Sequence, residues 1–249
     1  MTARDDDTKW PGPDGGWSLS ILARDPESGR LGIAIAAQSI AIGARCPLLS
    51  IGEAVLTSQG FSNLKVGPLA VDLLRRGLVA HEVMDALRRH DRWIDYRQVA
   101  IVTQSGDIQI HTGAMNNAWA GHRVDDDFAC LGNGLVDGAP LDAMAGAYAR
   151  AAKLPMPARL VDALKVGAGA IHKSIANSGA VSSALLVRAP NDLVPIDLRV
   201  DLARVPPAEG GDAIADLERV LQAYAPLVEI YERRSISPEP LVHASLTVD

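Results

Sequence analysis

Residues 18–37 read SLSILARDPESGRLGIAIAA, and this stretch predicts a β-hairpin. Its two halves, residues 18–24 and 31–37, are apolar runs with the length of strands. Between them, Pro26 stands at a turn-initiating position and Gly29 closes the turn. The folded part of the chain is therefore predicted to begin near Trp17 with two antiparallel strands.

The hydrophobic period changes further along the chain. Strands are predicted at 48–56 (a pair broken near Gly52), 98–102, 108–111, 128–131 and 183–188, and helices at 67–77, 80–90, 140–152, 158–170 and 213–234. Runs of strands that alternate with runs of helices indicate an α+β fold. We expect one domain over residues 17–234, preceded by a flexible arm or propeptide (1–16) and followed by a C-terminal tail (235–249).

Composition excludes several functional classes. The formal net charge is -6 and no basic run occurs, which argues against non-specific nucleic-acid binding. No uncharged apolar stretch reaches the roughly 18 residues that a membrane span needs. The N-terminal residues lack the features of a signal peptide, and the two cysteines form no CxxC motif, so a cytoplasmic protein is predicted.

Common cofactor and metal motifs are absent from the sequence. No nucleotide-binding glycine motif and no histidine pair at metal-binding spacing occurs. The run Asp125-Asp126-Asp127 is interpreted as a solvated loop, because consecutive carboxylates rarely converge on one ion. We therefore predict neither a metal nor a cofactor.

A set of short motifs gives the chain a family resemblance. They are LSILARDP (19–26), LGIAIA (31–36), Thr112-Gly113, WAGH (119–122), Gly132-Asn133 and SALLV (183–187). In this order and spacing, from Ser18 to about Tyr224, the chain resembles the "domain of unknown function 1028" family. That family is similar to N-terminal-nucleophile hydrolases, which implies a four-layer αββα sandwich of two antiparallel sheets between helices.

The resemblance also implies a chemistry. In such hydrolases a Thr, Ser or Cys at the start of the mature chain is the nucleophile, and its own α-amino group accepts the proton. An α-amino group has an ordinary pKa of about 7.7–8.0, which suits a general base. Ser18 stands at the matching position. The expected activity is an amidohydrolase that cleaves a C–N bond of a small linear or cyclic amide without a cofactor.

Two positions depart from the family pattern. Ser18 follows Trp17 rather than an initiator methionine, so its amine lies in a peptide bond. Either the chain cleaves itself there, or a protease removes the arm, or the protein is a catalytically inactive binding or assembly module. Gln38 stands where relatives often carry a cation. A third interpretation is an internal nucleophile or bound water, with the arm as a lid.

Further residues are candidates for substrate or oxyanion binding. The side chains of Gln38, Gln59, Asn63, His122 and Asn133 lie in polar, glycine-flanked or family-matching segments. For the amides the structural alternative is turn stabilisation, and for His122 it is a structural hydrogen bond. Cys46 is interpreted as a small buried residue. A homodimer is expected because layered folds often cover their strand edges with a partner.

Overall fold

The computed structural model describes residues 16–116, 118–171 and 179–238. Residues 1–15 of the predicted arm and 239–249 of the predicted tail lie outside the described residues. The strands are β1 (Ser18–Asp25), β2 (Arg30–Ala37), β3 (Pro47–Ser50), β4 (Ala54–Gly60), β5 (Arg97–Thr103), β6 (Ile108–Thr112), β7 (Trp119–Val124), β8 (Phe128–Leu135), β9 (Ser182–Arg188) and β10 (Ile196–Val200). The helices are α1 (Ile42–Arg45), α2 (Val66–Arg75), α3 (Ala80–His90), α4 (Ala139–Arg150), α5 (Met156–Gly169), α6 (Ala213–Tyr224) and α7 (Val228–Ile236).

The strands form two antiparallel sheets. One has six strands in the order β10-β9-β2-β1-β8-β7, and the other has four in the order β3-β4-β5-β6. Strand β1 lies between β2 and β8, so its backbone is hydrogen-bonded along both edges. The hairpin predicted from residues 18–37 is thus the centre of the larger sheet.

Three hydrophobic clusters hold the layers together. Helices α4, α5 and α6 pack on the outer face of the six-stranded sheet. Helices α2 and α3 pack on the outer face of the four-stranded sheet. A third cluster fills the space between the sheets, where Leu22 and Ile33 meet Val55 and Val102. The expected α+β, four-layer αββα sandwich is therefore confirmed.

Side-chain alternation along β1 decides what each face contributes. Leu19, Ile21 and Ala23 point toward the helices. Ser20 and Leu22 point toward the second sheet, as alternation requires. Because both faces are covered, the strand reads as a nearly continuous apolar run. The serines at its beginning interrupt that run on the inter-sheet face only.

The turn after β1 forms as the sequence predicts. The Asp25 carboxylate accepts hydrogen bonds from the Glu27 backbone N–H and the Ser28 hydroxyl. Gly29 has a φ of 69°, a conformation that glycine adopts without steric cost. The turn therefore fixes the register in which β1 and β2 pair.

Some elements differ from the sequence-based expectation. The edge strands β7 and β10 were not predicted, because their half-exposed residues form no continuous apolar run. The single helix expected over 213–234 is interrupted at Ala225–Leu227 and ends at Ile236. Pro226 lies in the interruption, and a proline removes a helical hydrogen bond and crowds the preceding turn.

The inter-sheet core gives a direct stability test. Leu22 is fully buried between the sheets, whereas the Leu64 side chain is 62% exposed. Truncating Leu22 leaves a cavity, so Leu22→Ala should lower the free energy of unfolding by about 2–5 kcal/mol. The matched Leu64→Ala should lower it by less than about 1 kcal/mol. Urea unfolding measures both, and equal losses would contradict the assigned packing.

Candidate active site

Ser18 begins the central strand on the face that looks toward the second sheet. In the sheet register it lies opposite Ala37 on one side and Asn133 on the other. Its side chain is half-exposed, and its hydroxyl makes no hydrogen bond with the described residues. Ser18 therefore presents an accessible hydroxyl at one end of the inter-sheet space.

The residue before Ser18 is anchored in the core. Trp17 is 1% exposed and belongs to the cluster between the sheet and its helices. Its carbonyl accepts a hydrogen bond from the Gln38 backbone N–H at 3.0 Å, and its own N–H donates to Gln38 Oε1 at 3.4 Å. The pairing of β1 with β2 is thus extended one residue upstream of Ser18.

The chain reaches Trp17 through a narrow gap. A Cβ at Gly134 would lie 2.3 Å from the Gly16 carbonyl oxygen, and a Cβ at Gly16 would lie 2.6 Å from the Gln38 Cβ. Both glycines have positive φ, 123° for Gly16 and 68° for Gly134. A side chain at either position would collide with the neighbouring segment, so this route depends on both glycines.

A buried network of polar side chains lies on the same inter-sheet face. The Ser20 hydroxyl donates to Gln59 Oε1 at 2.8 Å, and Gln59 Nε2 donates to Gln98 Oε1 at 2.7 Å. Asn133 Nδ2 donates to the same Gln98 oxygen at 3.1 Å. Gln98 is fully buried and is the residue on which the network converges.

Gln98 also joins the two sheets through its amide nitrogen. Nε2 lies 2.8 Å from the Gly121 carbonyl oxygen and 3.1 Å from that of Gly132, both in the larger sheet, whereas Gln98 itself is in the smaller one. It also approaches Thr112 Oγ1 at 3.2 Å. Buried amides stabilise a fold only when they are paired in this way.

His122 connects to the network through Thr112. Its Nδ1 lies 3.0 Å from Thr112 Oγ1, and the outer part of the side chain is exposed. Partial burial of the ring and the neighbouring Arg123 charge both lower the pKa of His122 below its ordinary value. The imidazole is therefore neutral at neutral pH.

Of the six residues proposed from the sequence, four lie together at the Ser18 end of the inter-sheet space and the other two have different contacts. Gln59, Asn133 and His122 share the network, and Ser18 lies beside Asn133 in the sheet. Gln38 instead accepts a hydrogen bond from the Trp17 backbone N–H through its side-chain oxygen. Asn63 accepts a hydrogen bond from the Lys65 backbone N–H and donates from Nδ2 to Asp91 at 2.7 Å, so its described contacts are those of a loop residue.

The central residue of the network was not singled out from the sequence. Gln98 was predicted only as the beginning of a strand. The available signal was a glutamine directly before the apolar run VAIV (99–102), because an amide beside core positions needs specific partners if it is buried.

Cys46 and the three consecutive aspartates lie apart from Ser18 and the polar network. Burial raises the pKa of the Cys46 thiol to about 11, so it is protonated at neutral pH. Asp125, Asp126 and Asp127 fall in the turn between β7 and β8.

Across the described ranges, no group of three or more acidic, histidine or cysteine side chains could hold a metal ion. Within the same ranges, no helix is long and apolar enough to cross a bilayer.

The network predicts a large effect of one substitution. Gln98→Leu would leave the Gln59 and Asn133 amides without their shared acceptor, and each unpaired buried group costs about 1–3 kcal/mol. We expect the free energy of unfolding to fall by about 3 kcal/mol or more. Gln109→Leu is the matched control, because Gln109 is half-exposed in the adjacent edge strand. Similar urea midpoints for the two variants would contradict the role assigned to Gln98.

The fold has relatives among solved structures. A crystal structure of a DUF1028-family protein from Silicibacter pomeroyi is 30% identical, covers 84% of this chain and 86% of its own, and superposes with a TM-score of 0.74. Anbu, the ancestral beta-subunit from Yersinia bercovieri, is 13% identical and covers 86% of this chain and 97% of its own, but its TM-score of 0.36 supports no inference. None of the curated proteins matches the chain.

The family match extends over most of the sequence. The family model described as "Family of unknown function (DUF1028)" matches residues 18–210, so it begins at Ser18. The solved relative from Silicibacter pomeroyi carries the same family assignment. The chain described here belongs to the DUF1028 family.

Proposed function

We propose that this protein is an amidohydrolase of the N-terminal-nucleophile type, with Ser18 as its nucleophile, and that residues 1–17 keep the full-length chain latent. The observation that carries the proposal is the Ser18 hydroxyl, which is half-exposed and unbonded to described residues at the start of the central strand. The beginning of the family match at Ser18 supports the same position.

The proposed reaction needs a free Ser18 amine. Ser18 Oγ attacks the amide carbonyl carbon while its proton passes to the α-amino group, and that group then protonates the leaving amine. The C–N bond breaks and an acyl ester forms on Oγ. Water then gives a proton to the same amine and attacks the ester carbon; the C–Oγ bond breaks, the ammonium returns the proton to Oγ, and the carboxylic acid leaves.

Among the amide side chains, Asn133 is best placed to stabilise the oxyanion. It lies opposite Ser18 in the register, and one of its two N–H groups is bound to Gln98. The other can donate to a developing negative charge. Gln59 is fully buried and bonded at both ends, so its proposed role is to hold the network in place.

The first experiment is the intact mass of freshly purified protein, followed by an assay of the chain that begins at Ser18. The chain 18–249 should release amines from a panel of small linear and cyclic amides, whereas the full-length chain should not. Ser18→Ala in the shortened chain should abolish turnover. Ser18→Thr, which keeps a hydroxyl, should retain part of it.

A folding control and two contrary outcomes make this result decisive. Far-ultraviolet circular dichroism must show that the shortened chain is folded, since it lacks Trp17. A folded, inactive chain 18–249 would overturn the proposal, as would equal turnover by the Ser18→Ala variant.

A second candidate function is a non-catalytic binding or assembly module. The buried position of Trp17 favours it, because the bond that must break joins a core residue to a central strand. In that case residues 16 and 17 are permanent parts of the fold. A single full-length mass together with an inactive shortened chain would favour this function.

The buried position of Trp17 gives a stability prediction that holds for the full-length chain under either function. Trp17→Ala in the full-length chain should lower the free energy of unfolding by about 3–5 kcal/mol, the usual cost of truncating a buried tryptophan. Trp93→Ala is the matched control, because Trp93 is 49% exposed. Thermal unfolding that ranks the two variants equally would show that Trp17 is not a core residue.

The homodimer and the cytoplasmic location stay predictions.

A further inference from the structure

A cavity lies at the opposite end of β1 from Ser18. Its volume is about 320 Å³, and its walls are the β1–β2 turn, the β7–β8 turn and parts of α4 and α5. Strand β1 spans eight residues, which separates the two places by roughly 23 Å. The volume is in the range of sites for small molecules.

Tyr148 lines this cavity with a hydroxyl that no described residue binds. The residue is 2% exposed, and its ring packs on Phe128 with centroids 4.8 Å apart. Its hydroxyl makes no hydrogen bond with the described residues. Burial raises the pKa of Tyr148 to about 12, so the phenol is a neutral donor. The hydroxyl opens into the cavity, where it can donate to a bound ligand.

Arg159 is held over the Tyr148 ring in a fixed orientation. Its guanidinium lies 3.6 Å above the centre of the Tyr148 ring, and its Nε donates to the Tyr148 carbonyl oxygen at 2.6 Å. The two terminal nitrogens make no hydrogen bond or ion pair with the described residues. A guanidinium held in this way is pre-organised to bind a carboxylate.

The carboxylates of the cavity come from the β1–β2 and β7–β8 turns. Four carboxylates and two guanidinium groups line the cavity. Arg24 is paired with Asp127 at 3.4 Å, and the Asp25 carboxylate is bonded within its own turn. The Asp126 carboxylate has no such partner among the described residues, so it is available to a cation.

We propose that this cavity binds a small zwitterion, with the chemistry of a free amino acid. Arg159 and the Tyr148 hydroxyl hold the carboxylate, and Asp126 receives the ammonium group. A ligand with a single charge could pair with Arg159 or with Asp126, but not with both. The site is separate from Ser18 and does not depend on the proposed hydrolase activity.

Isothermal titration calorimetry of the full-length protein tests this site. The probes are glycine, 4-aminobutyrate and L-lysine, with propionate and methylammonium as ligands of one charge. At least one amino acid should bind saturably, and each single-charge ligand should bind at least about tenfold more weakly. Ser18→Ala should leave binding unchanged, which separates this site from the proposed active site.

Three substitutions assign the contacts. Tyr148→Phe keeps the ring packing and should weaken the amino acid by about tenfold, the usual effect of losing a hydrogen bond to a charged group. Tyr231→Phe is the matched control at an exposed tyrosine and should have no effect. Asp126→Asn, at an exposed position, should weaken the amino acids and leave propionate unchanged.

The binding measurements can overturn the proposed amino-acid site. It fails if none of the three amino acids binds, or if a folded Tyr148→Phe variant binds as tightly as the wild type. If Tyr148→Phe does not fold, unchanged affinity in Asp126→Asn has the same consequence. Equal affinity for an amino acid and propionate would show an anion site only.

Discussion

The burial of strand β1 on both faces and its pairing on both edges is the constraint on which the rest of the structure depends. A strand in this position must be apolar along its length, and Leu19, Ile21 and Leu22 satisfy that requirement. The helices on one side and the second sheet on the other then follow from the need to cover both faces. On the inter-sheet face of β1 the polar residues are at the Ser18 end, where the buried Ser20 hydroxyl donates to Gln59 and Ser18 is half-exposed.

The polar network pairs the amide groups that are buried when the two sheets pack together. Amide side chains between sheets lose their water, and they are stable only if every buried donor and acceptor is paired. Gln98 meets this need with one oxygen that accepts from both Gln59 and Asn133. The same amide donates to carbonyl groups of the other sheet, so it fixes how the sheets lie against each other. Rigidity at this point would also keep Asn133 beside Ser18.

The proposed chemistry of Ser18 requires cleavage of the Trp17–Ser18 peptide bond, whereas the packing of Trp17 favours an intact bond. An N-terminal nucleophile needs its amine free, whereas Trp17 is buried as deeply as the strand that it precedes. Gln38 binds both backbone polar groups of Trp17 and thereby extends the sheet across the bond. In the family pattern a cation often stands at this position, and here an amide holds the preceding segment instead. The latent-enzyme and module hypotheses differ in whether that segment is removed and in whether the chain that begins at Ser18 is active.

The sequence by itself determined the local elements. The hairpin of residues 18–37, the turn at Gly29 and the main helices follow from periodicity and turn chemistry, which act over a few residues. The order of the strands and the meeting of Gln59, Gln98 and Asn133 were decided only by the tertiary structure, because these residues are far apart in the chain and come together when the sheets pack. The same holds for Trp17, since whether a tryptophan beside a strand is in the core depends on helices that follow more than 100 residues later.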